Sequence, residues 1–185
     1  MSLPRAVLDA DIIYSRVLHE LMGRLATEAR LFDLIWSEDL LVEARRSLIH
    51  GKGLTVEIAD TWVGHMRREF PDGCVDPSSV AVEADLGSLT EDPNDLHVCA
   101  LAIAGEADLL FTFDRGYLGE PLRARGVDVP DVDRYLAAQF AEQPIAIMRV
   151  VEKQADVWRG GGSLDELLAA YGRAGVPGFA AALAD

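Results

Sequence analysis

The chain alternates short apolar runs with longer stretches in which apolar residues recur every three or four positions. Arg5-Ala-Val-Leu-Asp9 reads as a buried strand ending on a carboxylate, on grounds of length and position rather than period. Residues 14–25 and 27–36 read as helices, the second with Leu31, Leu34 and Ile35 on one face. Ser37 is placed to cap a helix running to about Ile49 and stopping at His50-Gly51-Lys52-Gly53, with Glu38 and Asp39 in its first turn. Residues 55–70 form a further amphipathic helix, with Val56, Ala59, Val63 and Met66 inward, broken by Pro71-Asp72-Gly73; Cys74-Val75 is a candidate short strand. Asp92 caps the next helix, with Pro93 in its first position and Asp95 in its third. That helix is almost wholly apolar from Val98 to Ala104 and stops at Gly105.

Asp108-Leu-Leu-Phe-Thr112 is the second clear strand, with Asp114 just beyond its end, and Val127-Asp-Val129 is a third. Pro130-Asp131 opens a helix to about Ala141, and Pro144 breaks the chain. A helix over 145–158, a hinge at Gly160-Gly161-Gly162, and a capping box at Ser163-Leu-Asp-Glu166 opening a short helix complete the pattern, with an alanine-rich turn after Val176-Pro177-Gly178. Strands alternating with helices predict an α/β sandwich around a mostly parallel sheet. The expected organisation is one domain over 1–143 and a helical C-terminal extension over 144–185.

Composition narrows the class. Half the residues are hydrophobic and 26% are charged, as in ordinary globular chains. No apolar run approaches a membrane span, and no secretory leader is visible, so the expected location is cytoplasmic. Cys74 and Cys99 are the only cysteines, too few for a disulfide framework and without zinc spacing; each is expected to behave as a small buried hydrophobe. The net charge is −14. Residues 1–75 carry 9 basic and 12 acidic side chains, residues 76–185 carry 8 and 19. Such a balance argues against a generic nucleic-acid coat and towards a metal or a basic partner.

In parallel α/β sheets ligands bind beyond the carboxyl ends of the strands. Asp9 and Asp114 lie at that edge, Asp95 is on the first turn of a helix starting there, and Glu43 sits mid-helix between Val42 and Ala44. Four carboxylates from four elements could converge. Like charges so placed raise one another's pKa, and a divalent cation with oxygen ligands would relieve the repulsion. Two such ions would suit phosphodiester displacement. Singly, each acid also has a structural reading: Asp92 as a cap, Asp95 as a first-turn carboxylate, Asp114 as a turn residue, Glu43 as an exposed helix position. The histidines are weaker signals: His97, two residues after Asp95, could face the same region, and His19, His50 and His65 show no ligand spacing. Arg45-Arg46 and Arg67-Arg68 read as solvated helix faces, or as phosphate contacts if the substrate is RNA.

Four segments in order, Val7-Leu-Asp-Ala-Asp-Ile-Ile13, Trp36-Ser-Glu-Asp-Leu-Leu-Val-Glu43, Asp92-Pro-Asn-Asp-Leu-His-Val98 and Thr112-Phe-Asp114, resemble the PIN domain of VapC-like ribonucleases from bacterial toxin–antitoxin systems. The resemblance implies a three-layer α/β/α fold and metal-dependent endoribonuclease activity with Mg²⁺ or Mn²⁺. It also implies a small basic-tailed antitoxin as partner and a homodimer. It assigns Asp9, Glu43, Asp95 and Asp114 to the metal site. Asp11, Ser15, Asp92 and Thr112 would support those acids, and Arg45 and Arg46 would contact RNA. The chain departs from the pattern at Asp11, where many relatives carry asparagine. It departs again at Asp114 and Tyr117, where many carry asparagine and then aspartate. Two other classes compete. Leu8-Asp-Ala-Asp-Ile12 also resembles the opening of haloacid-dehalogenase-type phosphatases, which need a later lysine, and only Lys52 and Lys153 exist. A PIN-fold binding module without turnover is the third.

Overall fold

The computed structural model describes residues 2–78, 80 and 85–184. It is of the α/β class, with a three-stranded parallel sheet, helices on both sides of it, and a helical C-terminal region. The chain divides into two compact units, one formed by Met1–Tyr14 with Asp33–Val129, the other by Ser15–Phe32 with Pro130–Asp185.

The first unit holds the sheet. Strand β1 (Arg5–Leu8) lies between β2 (Asp33–Ile35) and β3 (Leu109–Phe111), all parallel. Ala6, Val7 and Leu8 are fully or almost fully buried, which explains an apolar run without alternation. The chain leaves central β1 towards β2 on one side and reaches β3 on the other. The carboxyl ends of β1 and β3 therefore form the kind of crevice where such sheets bind ligands. Around the sheet lie α1 (Ala10–Tyr14), α3 (Glu38–Lys52), α4 (Val56–Glu69), α5 (Leu96–Ala104) and α6 (Gly119–Ala124). The Ser37 side chain caps α3 by accepting from Leu40 N, and Gly53 closes it in the left-handed conformation at φ 66°. The helix therefore runs three residues beyond the expected Ile49. Lys52 lies over the rings of Tyr14 and Trp62 at 4.3 and 5.1 Å, and its ammonium donates to Tyr14 O.

The second unit packs α2 (Arg16–Thr27) with α7 (Val132–Glu142), α8 (Pro144–Val157), α9 (Leu164–Arg173) and α10 (Pro177–Ala184). Its core contains a buried polar relay. Gln154 is fully buried, donates to Val17 O at 3.0 Å and accepts from Tyr171 Oη at 2.7 Å. Asp133 accepts from Gly178 N and Phe179 N at 2.9 and 2.7 Å, so a carboxylate of α7 tethers the start of α10.

Several expectations are corrected. Residues 27–36 are not a helix: Arg30 takes φ 53°, and Asp33–Ile35 pair with β1 after Asp33 N bonds to Pro4 O. A free sheet edge outweighed a helical apolar period. Val127–Val129 contribute only a single parallel bridge, Leu109 to Asp128, and Cys74 only one to Trp36. Cys74 is exposed, whereas Cys99 is buried as expected. Pro144 starts α8 instead of merely ending its predecessor, since a first-turn residue needs no N–H donor. The alanine-rich tail is a helix, α10.

Candidate functional site

The carboxyl edge of β1 and β3 carries the acids. Asp9 follows β1 directly and is 6% exposed. Its amide bonds to Phe111 O at 3.0 Å, so the β1–β3 ladder sets its position. Ala10 N donates to Asp9 Oδ1 at 2.7 Å and Thr112 Oγ1 donates to Oδ2 at 2.8 Å. Thr112 Oγ1 also accepts from Asp114 N at 2.9 Å. One hydroxyl thus links the backbone of one acid to the carboxylate of another across the strand ends. Thr112 is itself buried, as a residue in this role has to be.

Asp11, in the first turn of α1, reaches across to the loop after β3. Its Oδ2 accepts from Phe113 N at 2.7 Å and lies 3.4 Å from Thr112 Oγ1. Its Oδ1 is buried without a hydrogen-bond partner. Burial, reinforced by the Asp9 charge, pushes the Asp11 carboxyl up to about 6. Burial raises Asp9 as well, against the bonds from Thr112 and Ala10, and the charge on Glu43 adds to the rise.

Asp95 ends the 3₁₀ turn Pro93–Asp95 that precedes α5. Asp92 caps that turn by accepting from Asn94 N at 2.9 Å. Burial first, then the charges of Asp9, Asp114, Asp92 and Glu43, push Asp95 up to about 6. Asp95 and Asp114 flank Gly116: a Cβ on that glycine would meet Asp114 Oδ1 at 3.1 Å and Asp95 Oδ2 at 3.9 Å. Gly116 N donates to Asp114 Oδ1 at 2.6 Å.

What joins these two acids is a short antiparallel contact that local sequence does not reveal. Thr90 bridges Tyr117, Glu91 N bonds to Gly116 O at 2.8 Å, and Leu118 N bonds to Leu89 O at 2.8 Å. Buried Thr90 holds the turn, its Oγ1 accepting from Asp92 N at 3.1 Å and lying 3.4 Å from Asp95 Oδ2. Tyr117 brings a buried phenol under the influence of Asp9 and Asp95. Burial drives its pKa upward, so it remains a neutral group. It lies close enough to lower the Asp9 pKa without forming a hydrogen bond to it.

Glu43, on α3, meets His97 rather than another acid: His97 Nε2 lies 3.0 Å from Glu43 Oε2. His97 Nδ1 lies 2.7 Å from Asn94 O, which can only accept, so Nδ1 carries a proton. An ionised Glu43 asks for a proton on Nε2 too. Both contacts favour imidazolium, and the His97 pKa is raised, with the Glu43 contact as the largest cause and burial opposing it. The weak sequence signal at His97 therefore marks a basic side chain set against Glu43 beside the acidic cluster.

The remaining candidates lie elsewhere or are otherwise engaged. Ser15 occupies the cap position of α2 in the second unit and makes no side-chain capping bond. Arg45 pairs with Asp60 and Arg67 with Glu38, while Arg46 is exposed.

Among the described residues, no group of three or more His, Cys, Asp and Glu side chains is arranged to hold a metal ion. The donors nonetheless fit a hard cation in kind. They are carboxylate oxygens, Asp9 and Asp95 hold their protons more tightly than usual, Asp95 and Asp114 flank a gap kept open by the absence of a Cβ at Gly116, and one buried oxygen, Asp11 Oδ1, is unpartnered. Mg²⁺ takes only one or two protein carboxylates directly and keeps several waters, so a three-ligand cage is not required.

Residues 132–185 match the family described as VapC50 C-terminal domain. That segment, α7 to α10, is thereby related to a VapC-family domain; it lies outside the acids of the first unit. Comparison with curated proteins found no match, and comparison with solved structures found none.

Proposed function

We propose that the chain is a metal-dependent endoribonuclease of the PIN type, acting as the toxin of a VapBC-like pair. The observation that carries the reading is the gathering of Asp9, Asp95 and Asp114 at the carboxyl edge of the sheet, with Asp95 under the charges of Asp9, Asp114 and Glu43. The VapC-family match of the C-terminal segment supports the toxin assignment.

Asp9, Glu43, Asp95 and Asp114 would hold Mg²⁺ or Mn²⁺. Once bound, the ion would supply Lewis-acid polarisation of a phosphodiester and a water of lowered pKa. The chain's own residues have separate tasks. Thr112 holds Asp9 and Asp114 in register through one hydroxyl. Asp11 fixes the loop after β3 through Phe113 N. His97 orients Glu43 and offsets part of the negative field. Arg46 is exposed and can meet RNA phosphate, and Arg45 can exchange Asp60 for phosphate because a solvent-exposed ion pair is weakly held.

No described helix is long and apolar enough to cross a membrane. A cytoplasmic location, a homodimer and a small antitoxin with a basic tail belong to the same proposal. An antitoxin arginine would suit the acids, since its fork matches carboxylates bidentately.

The phosphatase alternative asks for a lysine at the acids. Lys52 is held over Tyr14 and Trp62, and Lys153 pairs with Glu28 in the second unit. The test assays single-stranded RNA and a phosphomonoester in parallel with Mn²⁺. RNA cleavage lost in Asp9→Asn supports the nuclease. Phosphomonoester turnover without RNA cleavage overturns it, and no turnover of either favours a silent binding module.

A further inference from the structure

Phe113 stands between Thr112 and Asp114, in the middle of the acid-bearing loop, yet its side chain is 41% exposed. Few large apolar residues in the described chain are left so open, and this one lies at the candidate site. Its placement is not loose. Asp11 Oδ2 holds Phe113 N at 2.7 Å, while Thr112 Oγ1 holds the amide of the next residue at 2.9 Å. The backbone at the ring is thus held by Asp11 and by Thr112, whose hydroxyl also donates to Asp9 Oδ2. Arg115, also exposed, follows on the same loop.

Charge sharpens the question. A net charge of −14 with clustered acids opposes a polyanion, so the usual electrostatic term is weakened and needs local help. A substrate strand must gain local contacts that do not depend on phosphate. Aromatic faces do this for unpaired bases, largely irrespective of sequence.

We propose that Phe113 is a base-stacking platform that seats an unpaired nucleobase next to the scissile phosphate, with Arg115 contacting the backbone beside it. The proposal rests on the nuclease reading and adds a substrate-positioning residue and a substrate form to it: a single strand, or a loop whose bases can splay out. A paired base presents no free face to the ring, so duplex RNA is excluded from this seat.

The experiment uses the full chain with Mn²⁺. Cleavage of total cellular RNA by the wild type tests the underlying reading; no cleavage overturns that reading and the seat with it. Given cleavage, a mixed-sequence single-stranded RNA oligonucleotide serves as substrate, and wild type, Phe113→Leu and Phe113→Trp are compared. Leucine keeps the bulk and apolarity without the π face. KM is expected to rise about 5- to 150-fold in Phe113→Leu, the fold-change equivalent of ~1–3 kcal/mol for one stacked base. Phe113→Trp is expected to stay near wild type, and kcat to change by less than about twofold in both. On the wild type alone, an abasic ribose-phosphate oligonucleotide is expected to compete far less well than the base-bearing one. Wild-type KM in a folded Phe113→Leu, or equal competition by the abasic strand, overturns the stacking seat while leaving the nuclease reading intact.

Discussion

The acid cluster makes a pH-dependent prediction that can be read without substrate. Asp11 is the test residue, because its carboxyl sits at about 6 in the folded chain against an ordinary 3.8. A carboxyl raised by folding binds its proton more tightly in the native state. Its effect on stability is therefore nil well below pH 4, grows unfavourable as pH rises from about 4 to about 6, and is constant above that. The full difference corresponds to ~3 kcal/mol, and to ~2 kcal/mol once partial solvent access is allowed for. Asp11→Asn removes the charge and keeps an oxygen to accept from Phe113 N. The new amide N–H₂ falls where Oδ1 is buried without a partner, a cost of about 1 kcal/mol that does not vary with pH. The pH-dependent part is consequently the clean quantity. In EDTA, the melting temperature of Asp11→Asn relative to wild type should climb by about 4–8 °C between pH 4 and pH 7. Relief of the Asp9 carboxylate, which the Asp11 charge opposes, is included in that figure. Parallel melting curves for the two proteins across this range would refute the reasoning, because Asp11 would then not be a buried, charge-strained acid.

Other consequences are independent of that one. Glu43→Gln should abolish RNA cleavage while leaving circular dichroism unchanged, since Glu43 is only partly buried and its amide can still meet His97; full activity would remove Glu43 from the site. Mn²⁺ at 100 times its Kd should stabilise the folded chain by about 2.7 kcal/mol, and Asp9→Asn should lose most of that gain in a thermal-shift titration. Asp11→Asn should keep at least about a tenth of RNA cleavage and Asp9→Asn almost none, because an amide can replace a hydrogen-bonding carboxylate but not a metal-binding one. In the second unit, Tyr171→Phe should lower stability by ~1–3 kcal/mol in denaturant melts, since it leaves buried Gln154 Oε1 without its donor.

The sequence alone determined whatever depends on neighbours within a few residues. Ser37, Asp92 and Ser163 each cap the helical turn expected of them, because a cap reaches only two or three amides ahead. The apolar runs of β1 and β3, with Asp9 and Asp114 just past their ends, were equally legible, and so was the parallel α/β class. Only the tertiary structure decided the rest. Residues 33–35 became a strand because β1 offered an open edge, a fact stored in residues almost thirty positions away. Thr90 and Tyr117 carry no local signal, yet their bridge draws Asp95 to Asp114. His97 looked like a marginal histidine until α3 brought Glu43 to it. Gln154 reads as a polar residue on an amphipathic helix and proves fully buried, satisfied by Val17 and Tyr171. In each case the partner is distant in sequence, and the energy that selects the contact exists only once burial has removed water from both groups.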